Sequence, residues 1–168
     1  MKSLVPLSAL SRFCWLLAIL IVGACGNDPV QLPAVQAKTI SGESITNQKL
    51  VGKWVVIKLW ATWCGPCLAE MDELNALQEQ YARDTNVVFI GITDEPTDVV
   101  EATLSVQPFN YRVIADAKTL KKSLQSGVVG YIPEHQIYDP TGRQIFSVSE
   151  PGPNIAAVID SILKKNRN

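Results

Sequence analysis

Residues 60–67 read Trp60-Ala61-Thr62-Trp63-Cys64-Gly65-Pro66-Cys67 and carry two thiols three positions apart. Before them, residues 54–59 form an apolar run with the length of a strand buried on both faces. After them, apolar side chains recur every three or four residues, as on one face of a helix: Leu68, Met71, Leu74, Leu77 and Tyr81. The thiols are therefore predicted at a strand-to-helix junction, where free backbone N–H groups and the helix dipole stabilise a thiolate.

The spacing gives the two thiols different roles. Cys64 precedes the first helical turn, so we expect an accessible sulfur that acts as the nucleophile. Cys67 lies one turn further in, more buried, where it can attack the mixed disulfide that Cys64 forms with a partner. Gly65 lets a partner approach closely, and Pro66 fits the first turn of a helix. The stretch predicts thiol-disulfide exchange without a cofactor.

The first 24 residues have the form of a signal peptide. Lys2 and Arg12 precede an uncharged run over residues 13–22, which is too short for a comfortable membrane span. The run ends in Val22-Gly23-Ala24-Cys25, which is similar to the lipobox of bacterial lipoproteins. We expect a lipid on Cys25, a tether over residues 25–34, one domain over 35–168 and a place in the bacterial cell envelope. The alternatives are an uncleaved anchor, or ordinary cleavage with Cys25 incidental.

Net charge and cysteine content limit the classes of function that the chain can have. The whole chain has 15 basic and 16 acidic residues, a formal net charge of −1. Without the leader the charge is about −3, which does not favour nucleic acid as a partner. Cys14 would leave with the leader, so Cys64 and Cys67 would be the remaining thiols. In an oxidising compartment these two would close a loop too short to stabilise the fold much as a structural disulfide. We therefore interpret them as redox-active.

The remaining pattern predicts strands that alternate with helices. A hairpin is expected over 35–46, a buried strand at 87–92, a helix at 97–107, a strand at 111–114, a helix at 119–125, a hairpin over 135–148 and a final helix with Asn154 as its N-cap. This order favours an α/β domain with a mixed sheet covered on both faces.

Two motifs resemble those of a known family. Trp63-Cys64-Gly65-Pro66-Cys67 matches the thioredoxin active-site motif residue for residue, and Val129-Gly130-Tyr131-Ile132-Pro133 resembles the second thioredoxin signature. The N-terminal hairpin, the anchor and the long segment 93–127 make the chain more similar to the TlpA/ResA/CcmG branch of membrane-tethered thiol-disulfide oxidoreductases. The resemblance covers residues 35–165. It implies a thioredoxin-like three-layer fold with an N-terminal β-hairpin and a central β/α insertion.

The resemblance also implies a direction of electron flow. Gly65-Pro66 is the dipeptide of thioredoxin, whose potential lies near about −270 mV, against about −120 mV for DsbA. We therefore expect a monomeric reductant of disulfides in exported proteins, apocytochrome c among them, recharged by a membrane electron donor of the DsbD/CcdA type. The rival is a metal- or apocytochrome-handling binding protein. A peroxidase is disfavoured, because Ile57 and Ala61 stand where such families need Pro and Thr or Ser.

Two further residues are expected to support the thiols. Glu70 lies one helical turn beyond Cys67, where ResA-like relatives carry an acid that tunes the cysteines; the alternative is a surface glutamate. Lys58 departs from thioredoxin, which has a buried aspartate at this place. A lysine in an apolar strand must snorkel, lose its proton or meet an anion such as Glu70 or the Cys67 thiolate. Our hypothesis is that Lys58 stabilises the reduced form.

The second signature supplies the last candidates. The resemblance implies that Pro133 follows a cis bond, the alternative being a trans turn proline, and that Ile132 and Glu134 contact the substrate. A glutamate after this proline resembles the haem-maturation branch. His135, the only histidine, could titrate near the thiols or join them as a metal ligand; the alternative is a surface or hydrogen-bonded residue. No metal site is predicted, because two cysteines and one histidine lack the fourth ligand of a closed zinc site.

Overall fold

The computed structural model describes residues 29–125, 130–149 and 152–167. The predicted signal peptide, Cys25 and Val129 lie outside the described residues. None of the helices within these ranges has the length and apolar character needed to cross a membrane. The elements in chain order are β1 (Gln36–Lys38), β2 (Ser44–Thr46), α1 (Asn47–Leu50), β3 (Trp54–Leu59), α2 (Gly65–Ala69), α3 (Met71–Gln80), β4 (Val87–Ile92), α4 (Thr97–Val106), β5 (Arg112–Ile114), α5 (Lys118–Leu124), β6 (Glu134–Tyr138), β7 (Gln144–Ser149) and α6 (Ile155–Arg167).

A mixed five-stranded sheet organises the domain, in the order β5-β4-β3-β6-β7. Strand β3 runs parallel to β4, and β4 runs parallel to β5. Strand β6 is antiparallel to both β3 and β7. The carboxyl ends of β3 and β4 and the start of β6 therefore meet at one edge of the sheet. This is the edge at which the Cys64 loop leaves β3.

Helices cover both faces of this sheet, which confirms the predicted three-layer α/β fold. One core contains Val56 of β3 together with buried side chains of α3, α4 and α6. The other core contains Ile57 of β3 with buried side chains of α1, α5 and the β1–β2 hairpin. Neighbouring residues of β3 thus face different cores, which explains why its sequence is apolar without alternation.

The predicted helix after the cysteines is divided in two. Helix α2 ends at Ala69, and α3 begins at Met71, with Glu70 as the capping residue between them. Two main-chain carbonyls in the last turn of α2 accept hydrogen bonds from side chains outside the helix. Lys58 Nζ of β3 donates to the Cys67 carbonyl at 2.9 Å, and Gln107 Nε2 donates to the Leu68 carbonyl at 2.7 Å. Side chains that enter the helical hydrogen-bond ladder in this way are a known cause of a break.

The final helix differs in detail from the prediction. Asn154 precedes it, and its carbonyl accepts from Val158 N at 3.2 Å. Asn154 therefore holds the predicted N-cap position, with a left-handed φ of 70° in place of the extended backbone usual there. Ile155, Ile159 and Leu163 are buried against the sheet.

The last residues of the predicted tether belong to the domain. Leu32 N donates to the Gly142 oxygen at 2.8 Å, and Gln144 N donates to the Val30 oxygen at 2.8 Å. Asn47 Nδ2 donates to the Pro33 oxygen at 3.0 Å. Among the described residues, backbone pairing to the domain therefore starts at Val30, ahead of the predicted boundary at residue 35.

Candidate active site

Cys64 and Cys67 form a disulfide at the start of α2, with their Cα atoms 5.2 Å apart. Cys64 is the N-cap residue, and its Sγ accepts from Cys67 N at 3.2 Å. Pro66 occupies the first turn of the helix, where its missing N–H costs no hydrogen bond. Cys64 is 5% exposed and Cys67 is 0% exposed. Cys64 is therefore the sulfur that a partner reaches first.

The loop that carries the dithiol is held by Glu95. This carboxylate accepts from Thr62 N and from Thr62 Oγ1, both at 2.6 Å, and from Thr93 Oγ1 at 3.1 Å. Trp63, between Thr62 and Cys64, is 74% exposed. Glu95 is not among the residues predicted from the sequence. Its position in the loop that follows β4 was the available indication, because β3 and β4 are parallel and their following loops leave the sheet at the same edge.

Pro133 lies at this same edge of the sheet. The Ile132–Pro133 peptide bond is cis, which confirms the prediction. The next residue, Glu134, begins β6 in register with Leu59 at the end of β3. Ile132 is half-buried and packs against both cores. The register therefore brings the second signature beside the dithiol loop.

Lys58 is fully buried and meets an anion. Its Nζ donates to Glu70 Oε2 at 2.7 Å as well as to the Cys67 carbonyl. The Phe109 ring centroid lies 5.8 Å from the same nitrogen. Burial is the main influence on the pKa of Lys58 and lowers it, against the opposing effect of Glu70. Of the predicted alternatives, ion pairing with Glu70 holds, and snorkelling to solvent does not.

Glu70 connects Lys58 to His135. Its side chain is 12% exposed, so it is not an ordinary surface glutamate. His135 Nε2 lies 3.0 Å from Glu70 Oε2, the oxygen that also accepts from Lys58. Burial has the largest effect on the pKa of Glu70 and raises it, but the hydrogen bonds from His135 and Lys58 outweigh burial. The pKa of Glu70 therefore lies below its usual 4.5.

His135 is buried on β6, directly across from Lys58 in the strand register. Because an ionised carboxylate only accepts hydrogen bonds, we assign the ring proton to Nε2. Nδ1 then has no hydrogen-bond partner among the described residues. Burial lowers the pKa of His135 below 6.5, although Glu70 opposes this, so the ring is neutral near pH 7. Within the described ranges, no group of three or more His, Cys, Asp or Glu side chains could hold a metal ion.

The structure places Glu134 differently from the expectation. Glu134 is fully buried, and its Oε1 accepts from Gln136 Nε2 at 2.6 Å and from Ser147 Oγ at 3.3 Å. Gln136 also donates to the Leu124 carbonyl of α5 at 2.5 Å, which puts this set of bonds on the face of the sheet opposite His135. A carboxylate held in this way does not fit a substrate contact. Because side chains alternate along β6, Glu134 lies with Gln136 on the buried α5 face of the sheet, which the motif alone did not reveal.

Comparisons with known proteins agree with this geometry. Residues 30–143 match the AhpC/TSA family. The chain is 32% identical over 114 residues to the thioredoxin-like protein YneN of Bacillus subtilis, covering 67% of this chain and 65% of YneN, just under two thirds of its length. It is 26% identical to the thiol-disulfide oxidoreductase ResA of Bacillus thuringiensis, covering 80% of this chain and 76% of ResA.

A solved structure shows the same architecture. The thioredoxin-family thiol:disulfide interchange protein of Chlorobium tepidum superposes with a TM-score of 0.71 at 25% identity, covering 84% of this chain and 98% of that protein. The chain thus belongs to the AhpC/TSA family, and it has the fold and the paired cysteines of thioredoxin-like thiol-disulfide oxidoreductases.

Proposed function

We propose that this protein reduces disulfides of exported proteins through the Cys64–Cys67 pair. The observation that carries the proposal is the asymmetry of the pair at the helix start. Cys64 Sγ accepts a hydrogen bond from the backbone N–H of Cys67, and Cys64 is the more exposed cysteine. Cys67 is fully buried. A thiolate held by helix N–H groups is both a nucleophile and a good leaving group.

The reaction passes two electrons in two exchange steps. The Cys64 thiolate attacks one sulfur of the client disulfide, which forms a mixed disulfide and expels the other client sulfur as a thiolate. The Cys67 thiolate then attacks Cys64 Sγ, which closes the Cys64–Cys67 disulfide and releases the second client thiol. The client gains two electrons and two protons, and the protein must be reduced again before the next turnover.

We assign this renewal to a membrane electron donor of the DsbD/CcdA type. The proposal is supported by the signal-peptide pattern predicted over residues 1–24 and by the lipobox-like stretch that ends at Cys25, which together favour an anchored protein on the outer side of a bacterial membrane. Apocytochrome c is our specific candidate client. It would present a pair of cysteines that must be reduced before haem attachment.

The buried residues behind α2 are proposed to tune the thiols. Lys58 donates both to Glu70 and to the carbonyl of Cys67, so its position is coupled to the helix turn that carries the resolving cysteine. His135 supports Glu70 from β6. Our proposal is that this cation stabilises the reduced dithiol and raises the potential of the pair.

Insulin reduction with dithiothreitol as the electron source tests the activity. We expect turnover by the wild type and none by Cys64→Ser. Cys67→Ala should retain clients as mixed disulfides through Cys64, and their identity will distinguish cytochrome maturation from general repair. Absence of turnover by the wild type, together with stoichiometric copper or zinc binding, would instead favour the metal-handling binding protein.

A further inference from the structure

We propose that a groove beside the dithiol selects client segments that carry carboxylates next to their disulfide. This inference rests on the proposed reductase function and adds a substrate class to it. The groove, called here the client groove, has a volume of about 540 Å³. Its walls include Trp63, Asp94, Glu95, Lys118, Lys122 and Ile132.

The position of the client groove ties it to the reaction. Trp63 is the residue directly before the nucleophile Cys64, and it presents 74% of its surface to solvent. Ile132 comes directly before the cis-proline at the same sheet edge. A polypeptide whose disulfide lies on Cys64 therefore extends along a wall made by these two apolar side chains and by α5.

The acidic side chains of the client groove are already engaged. Asp94 Oδ1 lies 2.5 Å from Lys121 Nζ, which is buried and also donates to the Trp60 carbonyl at 3.3 Å. The Glu95 carboxylate is held by Thr62 and Thr93. Both acids thus serve the internal structure of the loops, and neither is the free charge that a client meets.

The basic side chains are free to meet a client. Lys118 and Lys122 are exposed and lie four positions apart on α5, which places them on the same helix face. Neither has a hydrogen bond or an ion pair with another described residue, although the charge of Lys118 contributes, after that of Lys121, to lowering the pKa of Asp94. With Lys121 they make three cations against two engaged carboxylates in the lining, on a protein whose formal net charge is −1. The field beside the nucleophile is therefore locally positive.

This arrangement defines the client chemistry. An extended segment would place an apolar side chain on Trp63 and Ile132 and its Asp or Glu side chains at Lys118 and Lys122. Charges at an interface rim act chiefly on the association rate and on the choice of partner. A client with lysines or arginines beside its disulfide would meet repulsion at the same place.

Peptide substrates test the inference directly. Each peptide carries one disulfide, and its flanking residues are Asp and Glu, Asn and Gln, or Lys and Arg. The kcat/KM of the full chain in non-ionic detergent is measured for each peptide and divided by the rate of that peptide with dithiothreitol, which removes differences in intrinsic reactivity. We expect the acidic peptide to exceed the basic one by about tenfold at low salt, with the difference shrinking at high salt.

A matched pair of variants locates the effect. Lys118→Glu with Lys122→Glu should reverse the order of the acidic and basic peptides. Arg83→Glu with Lys165→Glu changes the net charge equally at exposed positions away from the client groove, and it should keep the wild-type order. An unchanged order in the first pair, or an equal shift in the control pair, overturns the assignment to this groove.

The same assay distinguishes failure of the client preference from failure of the reductase function. Equal normalised rates for the three peptides, in a wild type that reduces insulin, would overturn the client preference alone. Failure to reduce insulin or any peptide would overturn the reductase function, and the preference with it.

Discussion

Lys58 and Glu70 place an ion pair directly beneath the helix that carries the dithiol. Lys58 is fully buried, and Glu70 is nearly so. A buried ion pair is weak evidence for stability, because the cost of removing both charges from water offsets much of their attraction. Lys58 also donates to the carbonyl of Cys67, so the ion pair is better explained by an effect on the thiols. A cation held at this place favours the negative charge of the reduced thiols.

Replacing Lys58 tests this effect. Lys58→Met keeps an apolar chain of similar length and removes the cation, so we expect the redox potential to become more negative by about 30 mV. Equilibration with glutathione buffers measures the shift. Lys53→Met is the matched control, because Lys53 also donates to a main-chain carbonyl, that of Thr85, but on the exposed surface. An unchanged potential in Lys58→Met would refute the role.

His135 makes stability depend on pH in a specific window. Burial lowers its folded-state pKa below 6.5, so the unfolded chain binds the proton first as the pH falls. The unfolding free energy should therefore decrease as the pH falls below about 6.5, until the folded-state pKa is passed, with a slope of at most about 1.4 kcal/mol per pH unit for one proton.

Urea unfolding between pH 8 and pH 5 measures this slope. His135→Gln can still donate to Glu70 but does not titrate, so its stability should change less over the same range. His135 is the only histidine of the chain, which leaves no other imidazole to produce the effect. Equal slopes in the two proteins would contradict the assignment.

At the scale of elements, the sheet edge brings together parts that are far apart in the chain. The loops after β3 and β4 are joined by Glu95, and the second signature enters through β6. Helix α2 is short because Lys58 and Gln107 donate hydrogen bonds to carbonyls of its last turn. The short helix ends at Ala69, and the Glu70 carboxylate that follows it lies within hydrogen-bond distance of Lys58 and His135.

Gly91 in β4 allows the strand to lie close to two aromatic rings. A Cβ added there would come within 2.8 Å of Phe109 Cε1 and 3.2 Å of Trp60 Nε1. Both rings are buried, and Phe109 also stacks on Tyr111 with centroids 4.4 Å apart. Gly91→Ala should therefore lower the unfolding free energy by about 1–3 kcal/mol, the usual cost of overpacking.

Urea unfolding with a second glycine variant isolates that contact. Gly65 in α2 has no heavy atom within 4 Å of an added Cβ and has no positive φ. Gly65→Ala should leave stability unchanged or raise it by about 0.5–1 kcal/mol, as alanine does in a helix. Equal stability of the two alanine variants would show that the rings can move aside.

At the scale of the whole molecule, the proposed direction of electron flow has a thermodynamic consequence. A reductant gives up electrons because its oxidised folded state is stabilised over its reduced one, whereas DsbA is a strong oxidant because its reduced form is stabilised. Each 30 mV between folded and unfolded potentials corresponds to about 1.4 kcal/mol. The oxidised protein should therefore be the more stable form.

Urea unfolding with and without excess dithiothreitol measures this difference. We expect a lower midpoint after reduction, and no effect of the reductant on the Cys64→Ser/Cys67→Ser double variant. A higher midpoint in the reduced protein would contradict the reductant assignment and would favour an oxidase of client thiols.

The sequence by itself determined the order of the strands and of the longer helices, the strand-to-helix position of Cys64 and Cys67, and the proline that ends the second signature. These features are local, because hydrophobic period and motif spacing are properties of neighbouring residues. The tertiary structure alone decided that Lys58 meets Glu70, that His135 joins them, that Glu95 holds the loop and that Glu134 turns inward. Those contacts depend on strand register and on the face that each residue takes in the sheet, since a shift of one residue exchanges the two faces.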